Sequence, residues 1–148
     1  MNAVKLLKQD HQRVRKLFDE YDAASDRSSK KKREIAETIF QELELHRRLE
    51  EEIFYPAVNA RANQEVKELV IENLEEHQEV GSLIEELREL DPEDAAYEES
   101  FAQLVESVQE HIEAEESEMF PEAEKRLRDQ LDEIGSQMEE EKEMASTH

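Results

Sequence analysis

The chain contains the same histidine motif twice, and this duplication is the feature that most limits what it can fold into. Residues 46–56 return 65 residues later as residues 111–121, and both stretches open with His-x-x-x-Glu-Glu and close with an aromatic residue before a proline. Residues 10–11, an acid followed by a histidine, return 66 residues later as residues 76–77. Four of the five histidines therefore belong to the repeat. Self-similarity at a fixed offset indicates a duplicated supersecondary unit.

Four stretches of the chain have apolar residues at alternating three- and four-residue spacing, which is typical of helices that pack on one face. These stripes begin at Val4, Ile35, Val66 and Tyr97, and no stretch alternates with the period of a strand. A mean hydropathy of −0.95 would also fit a disordered acidic chain. The regular spacing of the apolar residues argues against disorder. The sequence predicts an all-α, antiparallel, up-down-up-down four-helix bundle with an internal two-fold repeat.

Polar breaks mark the ends of the predicted helices. Residues 25–32 interrupt the first pattern, Asn63 is placed as the N-cap of the third helix, and Asp91 is placed as the N-cap of the fourth. We predict one domain over residues 1–134, followed by an acidic and flexible tail over residues 135–148. His148 belongs to that tail and is not expected to bind metal.

The composition excludes several classes of function. The chain has no cysteine, so thiol chemistry, disulfides and iron–sulfur clusters are excluded. A net charge of −22 makes nucleic acid and anionic membrane surfaces unfavourable partners. No signal-peptide core and no membrane-spanning apolar run is found, so a cytoplasmic protein is expected. The basic run at residues 30–33 is interpreted as a solvated first helical turn, with docking of a protein partner as the alternative.

Two histidine–glutamate pairs lie in the apolar stripes, where a charged group is costly to bury. His46 and Glu50, like His111 and Glu115, are four residues apart and so project from one helix face. No basic residue lies in any stripe to balance the carboxylates. Two cations at the bundle centre would do so, with the glutamates bridging and the histidines capping each ion. Imidazole with carboxylate suits iron, manganese, cobalt or zinc, and iron fits best where an open position binds oxygen.

The predicted ligand set takes one histidine from each helix and two glutamates. It consists of His11, His46, Glu50, His77, His111 and Glu115. A single histidine in a helix stripe is more often a hydrogen-bonded core residue, but here four helices each place one at mid-length. Glu51 and Glu116 are alternatives to their neighbours Glu50 and Glu115, although they lie about 100° round the helix.

The order of these residues resembles that of the hemerythrin-like, or HHE cation-binding, domain family, and the resemblance covers the chain from Asn2 to about Ile134. It implies a left-handed bundle around a non-haem di-iron centre, with the four histidines as terminal ligands and the two glutamates as bridges. Members of the family bind O2 reversibly or sense oxygen, iron or redox state. Some decompose peroxide or handle nitric oxide.

The chain departs from the oxygen-carrying members of that family at two places. Those members have an additional histidine one turn before the ligand of the third helix, where this chain has Asn73. Their last carboxylate is an aspartate five residues after the last histidine, whereas this chain has Glu115 at four and Glu116 at five. The resemblance therefore implies two imidazoles per iron and a more open, more symmetric site, which fits stable O2 carriage less well.

Three functions agree with this pattern. The first is storage, delivery or sensing of O2, nitric oxide or a redox signal at a di-iron centre. The second is an enzyme that decomposes peroxide or reduces nitric oxide, and the third is a non-catalytic iron-binding or interaction module. The sequence does not separate the first two, because both need the same ligands. The residues expected beside the ligands or at the open position are Asn73, Glu51, Glu116 and Tyr55.

Overall fold

The structure, a computed structural model, describes residues 1–24 and 29–146, and all its regular elements are helices. Helix α1 spans Ala3–Ala23, α3 spans Gln64–Glu89 and α5 spans Leu131–Ser146. Helix α2 consists of the consecutive segments Ser29–Leu49, Glu50–Phe54 and Tyr55–Ala60, and α4 of Ala95–Ala114, Glu115–Met119 and Phe120–Arg126. Helix α1 packs against α2, and α3 against α4. The predicted all-α bundle is confirmed.

The helix starts follow the predicted polar breaks, with one correction. The Asn63 side chain accepts a hydrogen bond from the backbone N–H three residues on, at 2.9 Å, and so caps α3 as predicted. The cap of α4 is Asp94, which accepts from the backbone N–H of Ala96 at 3.1 Å. The prediction that Asp91 caps α4 was wrong, because the Asp91 carbonyl first closes a turn with the N–H of Asp94.

Each of the two long helices contains one π-helical turn, and each turn begins at a predicted glutamate ligand. The N–H of Tyr55 donates to the carbonyl of Glu50, and the N–H of Phe120 donates to that of Glu115. Both bonds span five residues where an α-helix spans four. The wider turns precede the two prolines of the repeat, which cannot donate to the preceding turn. The duplication therefore extends from the sequence to a departure from regular helical geometry.

The π-helical turn moves the buried face of α2 by one residue. The stripe predicted beyond the glutamate contained Ile53 and Ala57, but both are only half-buried. Phe54 and Val58 are fully buried instead. A pattern with 3.6 residues per turn places the wrong residues inward after an inserted position. Between Ile39 and Glu50 the predicted inward positions are buried, whereas Ile35 at the start of the stripe is half-buried.

The apolar core is divided into two clusters, and the predicted ligands lie between them. One cluster contains Leu7, Phe54 and Phe120. The other contains Phe18 and Leu104. The ligands are thereby shielded from water at both ends of the bundle. Among the described residues, no helix is both long enough and apolar enough to cross a membrane.

The flexible tail expected from residue 135 was a wrong prediction, because α5 continues to Ser146. Met138 is fully buried in the first cluster. Gly135 allows α5 to approach the start of the chain closely, since a Cβ atom there would lie 2.0 Å from the carbonyl oxygen of Met1. Burial of apolar side chains on α1 therefore orders this segment. Residues 147–148, with His148, lie outside the described residues.

Candidate metal centre

The six predicted ligands come together at the centre of the bundle in two groups of three. One group contains His11, His46 and Glu115, and the other contains Glu50, His77 and His111. Within each group, one nitrogen or oxygen atom from each side chain lies within 4.8 Å of the others. All six residues are buried. Each group takes side chains from three helices, so the centre exists only in the folded bundle.

Glu50 lies between the two groups. Its Oε1 atom is 3.0 Å from Nε2 of His77 and 3.8 Å from Nε2 of His111, both in its own group. The same oxygen is 3.2 Å from Nε2 of His46, which belongs to the other group. A carboxylate in this position is within reach of both predicted metal positions.

Glu115 occupies the equivalent place in the second half of the repeat. Its Oε1 atom is 3.1 Å from Nε2 of His11 and 4.0 Å from Nε2 of His46. Its Oε2 atom is 3.7 Å from Nε2 of His111, a member of the other group. Each of the two carboxylates therefore lies within 4.0 Å of histidines from both groups.

The electrostatics of the centre favour a cation. Burial raises the pKa of Glu115, and the negative charge of Glu50 raises it further. Burial alone would lower the pKa of His111, but the charge of Glu115 and the contacts with Glu50 outweigh it and raise that pKa to about 10. Protons and metal ions both relieve this excess of buried negative charge. The residues present thus fit a group that brings positive charge to the centre.

Unsatisfied polar atoms lead to the same conclusion. Within the described part of the chain, three buried side-chain atoms have no hydrogen-bond partner: Nε2 of His46, Nε2 of His111 and Oε2 of Glu50. A buried polar atom without a partner is costly. All three are of the types that coordinate iron, manganese or zinc, so bound metal would satisfy them.

The outer nitrogen of every predicted histidine ligand contacts a carboxylate. Nδ1 of His46 lies 3.0 Å from Oδ2 of Asp10, and Nδ1 of His111 lies 2.6 Å from Oε1 of Glu76. A carboxylate at Nδ1 holds the proton there and leaves Nε2 free to coordinate metal. Asp10 and Glu76 were not identified as functional in the sequence, although the repeat preserves an acid directly before His11 and His77.

The remaining two histidines are held by the glutamates that follow the bridging positions. Nδ1 of His11 lies 2.7 Å from Oε2 of Glu116, and Nδ1 of His77 lies 2.8 Å from Oε2 of Glu51. The Glu116 and Glu51 side chains are 30% and 40% exposed, whereas those of the predicted bridging residues, Glu115 and Glu50, are fully buried. The structure therefore places them outside the ligand groups, where they orient imidazoles.

Tyr55 and Asn73 lie beside the centre on the side of His77. The Tyr55 hydroxyl donates to Oε2 of Glu115 at 2.5 Å and is 3.4 Å from Nε2 of His77. Burial and the charges of the nearby glutamates raise the pKa of Tyr55, so its hydroxyl remains a donor. The Asn73 amide donates to the carbonyl of Leu69 at 2.7 Å, and its oxygen is 3.5 Å from the Tyr55 hydroxyl.

A small cavity of about 30 Å³ adjoins the four histidines on the side of the second cluster. It is bounded by one aliphatic residue from each of the four helices: Val14, Leu43, Val80 and Val108. Arg47 and Ile112 complete its wall. Space of this size holds only a molecule of a few atoms. A space of this size therefore lies next to the predicted metal positions.

Comparison with known proteins agrees with this description. Residues 2–123 match the sequence model of the family described as "Hemerythrin HHE cation binding domain". A protein of Nostoc sp. (strain PCC 7120) named "DNA nickase" is 29% identical over 121 residues. That match covers 81% of this chain but only 33% of the Nostoc protein, so the chain spans about a third of that relative's length.

A solved structure has the same fold. It is the crystal structure of a hemerythrin HHE cation-binding domain-containing protein from Mycobacterium kansasii, with a TM-score of 0.84 and 23% sequence identity. The superposition covers 97% of this chain and 86% of that chain. An identity of 23% shows likeness of the fold alone. Because the superposition covers 97% of this chain, that likeness includes the fifth helix.

Proposed function

The chain belongs to the hemerythrin HHE cation-binding domain family, and on that basis we propose that it holds two metal ions. We propose iron as the metal, and O2 or a related small molecule as the ligand that binds beside the two ions. The observation that carries the proposal is the sharing of Glu50 and Glu115 between two groups of buried histidines. Because each carboxylate lies close to histidines of both groups, the arrangement suits two ions better than one.

The residues divide between the two ions according to their positions. His11 and His46 would hold one ion, His77 and His111 the other, and both glutamates would be shared. When bound, a pair of iron ions supplies Lewis-acidic and redox-active positions for O2, nitric oxide or peroxide. The surrounding carboxylates orient the imidazoles, and the two apolar clusters exclude water. The cavity beside the histidines limits the ligand to a few atoms.

Tyr55 supports an enzyme as the second candidate function. Its buried hydroxyl donates to Glu115 and lies near His77, so a proton donor stands beside the predicted metal positions. A positioned donor assists reactions in which an oxygen–oxygen bond of peroxide is broken or nitric oxide is reduced. A non-catalytic iron-binding module would have no use for a donor here, and we therefore rank that third.

Metal analysis combined with absorption spectroscopy tests the proposal. Protein purified without chelators should contain two iron ions per chain, or take them up on addition of ferrous iron under anaerobic conditions. A double variant, Glu50→Gln with Glu115→Gln, retains the side-chain shapes and should lose at least one ion. Absence of any metal uptake by the parent protein would refute a metal centre.

The two leading functions give different results with the iron-loaded protein. An absorption band that disappears on reduction and returns on addition of O2 supports ligand binding. Rapid loss of added peroxide supports an enzyme, provided that His46→Ala and Glu50→Gln abolish it. Arg61→Ala is the matched control, because Arg61 pairs with Asp129 at the surface away from the centre.

The name of the Nostoc relative does not determine the partners of this chain. Two thirds of that protein have no counterpart in the match, so nicking of DNA can belong to the remainder. The charge of −22 repels a polyanion. We propose that neither nucleic acid nor an anionic membrane is a partner. An electrophoretic mobility-shift assay at low salt, where electrostatic binding is strongest, should show no complex.

A further inference from the structure

The wall of the cavity beside the histidines is asymmetric although the bundle is built from a repeat. Arg47 and Ile112 both line the cavity and are related by the 65-residue offset of the repeat. Ile112 is 1% exposed, whereas the Arg47 side chain is 31% exposed. One wall of the cavity is thus closed by a core residue and the other by a long polar side chain that also faces solvent.

Arg47 crosses from α2 to α3 over the outer edge of the centre. Its Nη1 atom donates to the carbonyl oxygen of His77 at 3.0 Å. Its Nε atom is 3.9 Å from Oε2 of Glu51, the carboxylate that also contacts Nδ1 of His77. The Arg47 and Glu51 side chains are 31% and 40% exposed, so water can replace the contact between them. Movement of Arg47 therefore requires no rearrangement of the core.

Gly81 makes room for this side chain. A Cβ atom on Gly81 would lie 2.1 Å from Nη1 and 3.2 Å from Cζ of Arg47. The residue at the equivalent position of the other half is Arg15, so the repeat itself does not require a glycine here. A glycine within a helix costs stability relative to alanine. Its presence at this position is explained by the guanidinium that lies against it.

We propose that Arg47, lying against Gly81, closes the passage by which small ligands reach the metal centre. This inference rests on the proposed function, and it places the passage between α2 and α3 and not between α4 and α1. The ligands admitted are molecules of two or three atoms, matching the cavity of about 30 Å³. Outward movement of the guanidinium opens the passage, and its return closes it.

Azide binding to the iron-loaded protein provides the kinetic test. Because closure of a passage slows arrival and departure alike, Arg47→Ala should accelerate association and dissociation of azide by about tenfold each, with little change in the dissociation constant. Gly81→Ala should do the same, since its methyl group displaces the flexible end of Arg47. Stopped-flow absorption measures both rates.

Two control variants define the outcomes. Arg48→Ala removes the same charge from an exposed neighbour of Arg47 and should leave both rates as in the parent. Slower association in Arg47→Ala would mean that the guanidinium attracts the anion, and that result would overturn the proposal. Unchanged rates in both Arg47→Ala and Gly81→Ala would overturn it as well.

A measurement on the metal-free protein separates this inference from the metal proposal. Dissolved O2 is paramagnetic, and where a closed passage makes its exchange with the cavity slower than the relaxation it causes, the relaxation of methyl groups in the cavity reports the rate at which O2 enters. The methyl groups of Val80 and Val108 line the cavity and should relax faster under O2 pressure in Arg47→Ala than in the parent or in Arg48→Ala. Equal relaxation in all three proteins would refute the passage even if the metal centre is confirmed.

Discussion

Lys142 of helix α5 forms an ion pair with Asp10, and Asp10 in turn contacts Nδ1 of His46 at 3.0 Å. Burial alone would raise the pKa of Asp10, but its contacts with His46 and Lys142 outweigh burial and lower that pKa. The equivalent Glu76 is 40% exposed, whereas the Asp10 side chain is 4% exposed. One predicted ligand is therefore connected to a helix that lies outside the repeat.

Lys142→Met should destabilise the protein and loosen its hold on metal. The change leaves the buried Asp10 carboxylate without the charge of Lys142, which should lower the free energy of unfolding by about 1–2 kcal/mol. His46 then has a less well-fixed partner, so metal should be lost to a chelator more quickly. Denaturant unfolding and chelator competition measure the two effects. Equal behaviour of variant and parent would show that α5 is not coupled to the centre.

Asp10→Asn should weaken metal binding by about 10–100-fold, because a neutral amide holds the His46 imidazole less firmly than a carboxylate does. Glu76→Gln makes the equivalent change at His111, where solvent already reaches the carboxylate. Its effect should be in the same direction but smaller. Metal affinity measured by competition with a chelator of known strength checks the order. A larger effect at Glu76 would contradict the asymmetry between the two halves.

Met138→Ala should lower the free energy of unfolding by about 2–5 kcal/mol, since the side chain is fully buried between α5 and the rest of the first cluster. Met144→Ala is the matched control, because Met144 is 58% exposed on the same helix. Its effect should be within about 0.5 kcal/mol. Similar stabilities of the two variants would mean that α5 contributes little to the fold in solution.

The parts of this structure that follow from the sequence are those with a repeated, regular pattern. The inward position of His46 could be predicted because it occurs in phase with apolar residues over several helical turns. The burial of Phe54 and Val58 could not be predicted, because the π-helical turn adds one residue to the helix. A regular 3.6-residue spacing of apolar residues does not indicate where such a turn occurs. The shift arises from local backbone geometry, which hydrophobic spacing does not encode.

Other features were present in the sequence but do not stand out in one dimension. Asp10 and Glu76 precede histidines in both halves, yet their contacts reach histidines on other helices, and those partners are known only once the helices are packed. Helix α5 has apolar residues at Leu131, Ile134 and Met138, but acidic residues surround them. That composition also fits a solvated tail, and only docking on α1 decides between the two.

Tyr55→Phe should alter the chemistry of the centre more than its fold. The change removes the hydroxyl that donates to Glu115 at 2.5 Å and should cost about 1–3 kcal/mol of stability. Any peroxide decomposition should slow while iron content is retained. Tyr21→Phe is the control, because the Tyr21 hydroxyl donates to Glu98, outside the centre. Unchanged peroxide loss in Tyr55→Phe would remove Tyr55 from the reaction.

The final prediction concerns Asn73, which precedes His77 by one helical turn on the same buried face. Asn73→His would place a fifth imidazole next to the position that His77 helps to hold. We expect tighter retention of iron, slower loss of peroxide and longer retention of bound O2, because an added ligand fills a coordination position. Metal analysis and the absorption spectrum under O2 measure these changes.

Asn73→Leu distinguishes a role at the centre from a role in packing. The amide donates to the Leu69 carbonyl of its own helix, and its oxygen lies 3.5 Å from the Tyr55 hydroxyl. Loss of the first contact costs little, since that carbonyl also belongs to the helical hydrogen-bond pattern. Loss of the second leaves the Tyr55 hydroxyl held by Glu115 without the neighbouring amide, so reactivity should change while the unfolding temperature stays near that of the parent. If Asn73→Leu instead stabilises or disorders the bundle and leaves spectrum and reactivity unchanged, the role of Asn73 is in packing. In that case the imidazole introduced by Asn73→His should not bind iron.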